Sequence, residues 1–272
     1  MADVARLQEI AEYLAATGAV AIRRELRRTG TTQPCPRPAT RLGGHRAEAL
    51  VHSAITTALD QLKARKHHEP DLITSADIEW VIEPIGGSHN LARGLPAHTV
   101  SVAATLDDIT LASAVAEPAT GRLWSAGFTQ GARLLDSRHG THRLPVRTGS
   151  QSNLNHALVA IGFSADPTQR RNEARLAVRL ATKVGDLRLI GSPALTLCWV
   201  ASGALDGFYQ HRPNPTAWRA AVLIAREADA VIGHTATGHL LHAASPAIAA
   251  QLTHALTTAG ATGLTQPSDL SA

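Results

Sequence analysis

The chain is poor in aromatic residues and in sulfur. Four Trp, two Tyr and three Phe stand among its 272 residues, 3% in all. Ala, Val, Leu and Ile must therefore fill most of the core, with Trp80, Trp124, Trp199 and Trp218 as its few large pieces. The two cysteines, Cys35 and Cys198, form neither a metal spacing nor a disulfide framework, and a reducing cytoplasm is the compartment that fits them. No apolar run reaches the roughly 18 residues of a membrane span. No charged start followed by an apolar stretch opens the chain, so neither a membrane span nor an export signal is expected.

Charge of one sign is in slight excess: the formal net charge is +4 and the isoelectric point about 9.6. That balance favours anionic ligands. Nucleic-acid binders gather Lys and Arg in stripes, whereas here they are scattered, so no nucleic-acid partner is expected. The densest group, "RRELRR" at 23–28, falls on an amphipathic segment and reads as a solvated face. Hydrophobic residues make up 44% and charged residues 18% of the chain, the balance of a globular protein with a sizeable core.

What is present alternates between two periodicities. Val4, Leu7, Ile10, Ala11 and Leu14 have helical spacing, which predicts a helix over 4–28; "GTTQPCPRPATRLGG" then breaks the pattern, and a second helix is predicted from Ala47 to about Leu62. "IEWVIEPI" reads as a strand, and the stretch from His98 to Phe128 as a β-meander with turns at Asp107-Asp108 and at 118–121. Beyond residue 150, "LNHALVAIGF" reads as a strand and 167–184 as a helix. "DLRLIGSPALTLCWVASGALDGFYQ" reads as strand, helix, strand; a helix over 215–228 and the hairpin "AVIGHTATGHLLHAA" follow. The tail from about Gly260 is expected to be loose. This order predicts an α/β fold, an α+β layered sandwich, with an N-terminal α+β region (1–150), a C-terminal α/β region (151–272) and a pocket at their seam.

Four ordered blocks carry a resemblance: "WVIEPIGGSHNLARGLPAHTVSVAATLDD", "GSPALTLCWVASGALDGFYQ", "TAWRAAVLIAREADAVI" and "TGHLLHAASPAIAA". Together they resemble the inositol monophosphatase family, whose first block runs W-x-I-D-P-I-D-G-T-x-N. The resemblance implies an αβαβα architecture, a dimer, and Mg²⁺-dependent hydrolysis of phosphate monoesters by clustered carboxylates that hold hard cations. Position by position, the acids are not kept. The first motif Asp is Glu83, the second is Gly86, and the Asp after the motif Trp is Arg219. Thr74, Ser75 and Ala76 stand near the family's G-E-E element, and the earlier D-x-V-T-x-x-D element has no counterpart in "CPRPATRLGG". The substrate-contacting Glu of some members aligns with Gln210.

One remaining carboxylate cannot hold a Mg²⁺ pair, so no metal and no cofactor is expected; Asp71, Asp77 and Glu79 lie close in sequence to the lost acidic element as candidate substitutes. The glycine turn, by contrast, is retained. Gly87, Ser88 and Asn90 keep a scaffold whose backbone N–H groups suit an anion. Arg219 admits two readings, as a fork for anion oxygens beside Gly87 and Ser88 or as a partner that neutralises Glu83. Tyr209, Gln210 and His211 complete the expected ligand-binding set. Were there metal-free chemistry, Glu83 and His89 would move the proton, with Asp206 or His211 assisting. His234, His239 and His242 do not have zinc spacing.

Three functions follow as expectations. The first is a relative without Mg²⁺-dependent phosphatase activity that binds an anionic or polyhydroxylated small molecule, as a homodimer or paired with an intact homologue. The second is a recruited metal-independent lyase, isomerase or cyclase of natural-product, sugar or nucleoside metabolism. The third is a residual phosphomonoesterase.

Overall fold

A computed structural model describes residues 3–29, 41–64, 78–136, 143–145, 147–211, 214–234 and 240–261. Asp71, Asp77, the Thr74 to Ala76 stretch, Cys35, Arg212, His239 and the tail beyond Ala261 lie outside the described residues.

Two long helices open the chain, α1 (Val4–Thr29) and α2 (Arg41–Ala64). The buried face of α1 is formed by Leu7, Ile10, Ala11, Leu14, Ala15 and Ile22; it contains the predicted stripe except Val4, which is half-buried. Its basic end is solvated, with Arg28 paired to Glu25 at 2.7 Å. Helix α2 starts at Arg41, six residues before the expected Ala47, because the glycines at 43 and 44 lie within the helix rather than ending the loop.

Six antiparallel strands follow as a meander: β1 (Glu79–Gly86), β2 (Thr99–Leu106), β3 (Ile109–Glu117), β4 (Arg122–Gly127), β5 (Ala132–Asp136) and β6 (Arg143–Pro145), with spatial order equal to chain order. The five-residue helix α3 (Ser88–Ala92) lies between β1 and β2. The second sheet has the order β10-β11-β9-β7-β8, from β7 (Leu158–Gly162), β8 (Asp186–Leu189), β9 (Gly207–His211), β10 (Val231–His234) and β11 (Leu240–Ala244). Strands β8, β7 and β9 run parallel, and β11 and β10 close the sheet antiparallel. The remaining helices are α4 (Pro167–Ala181), α5 (Pro193–Ala201), α6 (Pro215–Glu227) and α7 (Ala249–Thr258).

Alternation along the strands sorts these elements into five layers. Val100, Val102, Ala114 and Ala116 face α1 and α2 in one core. Ala103 and Val115 face the other way, into a central core where α5 and α6 are packed between the sheets against Ala160, Phe208 and Ala243. The far face of the second sheet, with Val159, Ile161 and Tyr209, buries α4 and α7 through Leu180, Leu252 and Leu256. The order is αβαβα, as expected. Helix α5 carries no charged residue and nearly all of it is buried, so its start can face the seam only at the layer's edge. Helix α7 escapes the sequence reading, although Leu252, Ala255 and Leu256 have helical spacing.

Candidate active site at the seam

Strand β1 delivers the glycine turn to the first residues of α5. Gly87 has φ +85° and begins α3 without a side-chain cap. This is the left-handed region that favours glycine, and a Cβ there would also lie 2.7 Å from the Ala97 carbonyl oxygen. Asn90 holds the turn closed: its amide donates to the carbonyls of Ala97 and Ile190, both at 2.8 Å. The second of these bonds crosses from the first sheet's hairpin to the segment that starts α5. Gly191, at φ +78°, lets the backbone approach that amide. Asn90 is therefore a tie between the two halves of the seam, and its donors are used by the fold rather than left for a ligand.

Gly86 faces Thr99 across β1 and β2. A Cβ at Gly86 would lie 2.6 Å from Thr99 Oγ1 and 3.5 Å from Ser192 Oγ. Thr99 and Ser192 are buried, with their hydroxyls 3.4 Å apart. The space toward which a side chain at position 86 would point is filled by a threonine hydroxyl. Neither residue was singled out in the sequence; Ser192 lies in the quoted "GSPAL", whereas Thr99 reads only as a strand residue.

Glu83 is half-buried opposite Ser101. Burial, aided by the charge of Glu48 on α2, holds its carboxyl above the usual range, and among the described residues it forms no ion pair. Ser88 is half-buried and His89 exposed, both on α3. Glu79 sits four residues before Glu83 on the same strand, exposed and opposite Thr105; at about 3.3 Å per residue it is roughly 13 Å away along the strand. It does not join Glu83.

Gln210 projects into a cavity of about 80 Å³ walled by Gly162, Phe163, Gly191, Ser192, Pro193 and Phe208. Gly162 makes room for it: a Cβ there would lie 2.5 Å from the Gln210 side chain. The amide oxygen of Gln210 is buried with no hydrogen-bond partner, so the cavity holds one unsatisfied acceptor next to the start of α5.

Four expected site residues are placed elsewhere. Asp206 lies at the entry of β9, at the opposite end from Gln210, where its carboxylate accepts the Leu158 N–H at 2.8 Å; it secures the β7-β9 pairing. Tyr209 points to the other face of the sheet, into the α4/α7 core, and its buried hydroxyl is pushed well above its ordinary pKa by burial and by Glu173. His211 shares that face, where Gln169 of α4 donates to its Nδ1. Both corrections follow from strand alternation: Phe208 and Gln210 face the seam, so Tyr209 and His211 cannot.

Arg219 is the fourth. Its guanidinium donates to the Asp108 carbonyl at 3.0 Å and stands 3.6 Å from the Asp108 carboxylate. Asp108 lies in the β2-β3 turn, at the end of β2 away from Thr99 and Gly86. Arg219 thus neither forks an anion at Gly87 nor pairs with Glu83; it lines a separate groove of about 390 Å³ with Asp108, Phe128 and Trp218. The cause is the course of α6, which crosses the meander and ends with Glu227 accepting the N–H groups of Thr129 and Gly131, both at 2.8 Å. Among the described residues no cluster of three His, Cys, Asp or Glu could hold a metal ion. His242 is buried and bonded to Thr253 of α7 at 3.0 Å.

The layering and the glycine turn facing a helix start define the class. The SuhB structure of Mycobacterium tuberculosis superposes with a TM-score of 0.80 at 34% identity, covering 94% of this chain and 97% of that one. An inositol monophosphatase from Anabaena (Nostoc) sp. PCC 7120 matches in fold, with a TM-score of 0.71 at 20% identity over 94% of this chain and 97% of that one. The chain belongs to the inositol monophosphatase family, whose sequence model matches residues 11–266. It is 40% identical over 185 residues to the inositol-1-monophosphatase of Mycobacterium leprae, an alignment of 66% of this chain and 62% of that protein. It is 31% identical over 198 residues to the Nus factor SuhB of Escherichia coli, covering 71% of this chain and 70% of that protein. No described helix is long and apolar enough to cross a membrane.

Proposed function

We propose that this family member binds a small anionic or polyhydroxylated molecule at the seam and does not hydrolyse phosphate monoesters through a magnesium cluster. The observation that carries the reading is the filled space at Gly86. A Mg²⁺ ion demands several hard oxygen ligands in near-octahedral array. Glu83 offers one carboxylate, Gly86 offers none, and Thr99 occupies the way a longer side chain would take. Arg219 turns to Asp108 and adds no oxygen. Among the described residues the donor set does not fit the ion.

Binding is supported by the backbone scaffold and by the unpaired Gln210 oxygen. A cavity of about 80 Å³ is far below the ~300–1,000 Å³ that encloses a whole ligand. It takes a head group, with a hydroxyl donor suited to the Gln210 oxygen, while the rest of the molecule lies over the Gly87-Ser88 turn. An assembly with a second copy or an intact homologue forms part of the same reading.

Phosphate release from an aryl phosphate, followed with and without millimolar Mg²⁺, tests the first half. Metal-dependent turnover abolished by Glu83→Ala would overturn it. Thermal shift against inorganic phosphate, sulfate and myo-inositol 1-phosphate tests the second, with Gln210→Leu expected to lose the response. One observation favours a second reading, metal-free chemistry: Glu83 is half-buried, without an ion pair among the described residues, and its carboxyl is held up, the condition of a residue that can carry a proton. Loss of any metal-independent turnover in Glu83→Gln is its expected signature.

A further inference from the structure

We infer that Glu173 is a positioning residue for both walls of the cavity, a role that rests on the binding reading above only in its effect on the ligand. One wall is the end of β7 and the turn after it, where Gly162 and Phe163 lie; the other is the end of β9, where Gln210 lies. Both are tied to a single face of α4.

The first tie is direct. Glu173, 4% exposed, accepts the Ser164 N–H at 2.7 Å. Arg170 holds the same turn from its acceptor side, donating to the carbonyls of Ser164 and Ala165 at 3.0 and 2.7 Å. Ser164 follows Phe163 directly, so fixing its peptide fixes the wall. The second tie runs through Gln169, one helical turn before Glu173 and beside its carboxylate. Gln169 donates to Nδ1 of His211, the residue after Gln210. Its own backbone N–H is capped by Asp166 at 2.7 Å, so the amide is presented from an ordered first turn of α4.

The other carboxylate oxygen of Glu173 is buried without a hydrogen-bond partner, and the charge of that carboxylate is felt by the buried Tyr209 hydroxyl. Burying an incompletely paired carboxylate is costly, and an apolar side chain would avoid that cost. Such a side chain would leave the Ser164 N–H without an acceptor. The polar face of α4 thus sets the spacing between Phe163 and Gln210.

Amide hydrogen exchange on the full chain tests this without a ligand. In Glu173→Leu the amides of 163–165 and of 210–211 are expected to exchange about tenfold faster or more, a local opening, while Glu173→Gln, which keeps an acceptor, restores wild-type protection. Equal exchange in wild type and Glu173→Leu, or identical behaviour of the two variants, overturns the inference. Should Glu173→Leu not fold, Gln169→Ala decides: it should free 210–211 and leave Ser164 protected, and no change at 210–211 sinks the second tie. Inorganic phosphate titration forms the second arm. Weaker binding in Glu173→Leu with binding retained in Glu173→Gln is expected, and equal affinity in both and in wild type counts against positioning. If wild type does not respond to phosphate at all, the binding reading fails while the exchange arm still decides the role of Glu173.

Discussion

Gly86 and Thr99 act as one unit. A methyl group added at position 86 meets the Thr99 hydroxyl at 2.6 Å, tighter than packed side chains allow. Gly86→Ala should destabilise the chain by about 1–3 kcal/mol, the usual range for overpacking, and the cost should largely vanish in a Thr99→Ala background. A double-mutant cycle in urea checks this; additive effects would show that the two positions do not share space. Glu83 gives a pH prediction. Its folded-state pKa is raised by burial and by Glu48, so the folded chain favours the protonated carboxyl. The favourable contribution is complete below the unfolded value of about 4.3 and is lost as pH rises through the folded value. Glu83→Gln should therefore match wild type near pH 4 and melt higher at pH 8, by about 2–4 °C if the difference is ~1 kcal/mol. Differential scanning calorimetry across that range reads the sign. Of these residues the sequence identified Glu83 and Gly86 through the motif, but not Thr99, because a buried hydroxyl on a strand has no pattern until its cross-strand neighbour is known.

Strand β9 shows why a motif locates an element more readily than a face. "GFYQ" reads correctly as a strand ending at the seam. Both of its faces are buried, so period-two alternation supplies two candidate stripes and nothing local to choose between them. The motif alone puts Tyr209 and His211 on the pocket side along with Gln210, and alternation forbids that. Asp206, one residue before the strand, serves its pairing: Asp206→Ala should cost about 0.5–1.5 kcal/mol, as the part-buried Leu158 N–H loses its acceptor, and should leave phosphate binding unchanged. Denaturant unfolding and thermal shift, read together, separate the two effects. Loss of binding at unchanged stability would return Asp206 to the site. Helix α6 offers the same lesson along its axis. "TAWRAA" marks its start, but the crossing of the meander that brings Arg219 to Asp108 is a tertiary fact.

At the scale of the molecule, the layer order was legible because four motif blocks occur in family order and because α5 is apolar nearly all round, as an internal helix must be. What the blocks could not convey is how closely the seam is packed where acids are absent. A fold that depended on cations would be stabilised by them in proportion to ligand occupancy. Here the space beside Gly86 is taken by the Thr99 and Ser192 hydroxyls, so the melting temperature should agree within about 1 °C in EDTA and in millimolar Mg²⁺, well inside the shift that ~1 kcal/mol gives a chain of this size. A rise of several degrees on adding Mg²⁺, abolished by Glu83→Ala, would show a cation site in the folded chain.

Gly162 has one further consequence. The Gln210 side chain lies where the Cβ of any other residue at 162 would be. The hollow at the seam therefore owes its existence to a missing methyl, and an alanine at that point would push the amide outward and shut the recess. A chain that exchanged this glycine for any bulkier residue would keep its layers and its turn, yet lose the recess beside the start of α5.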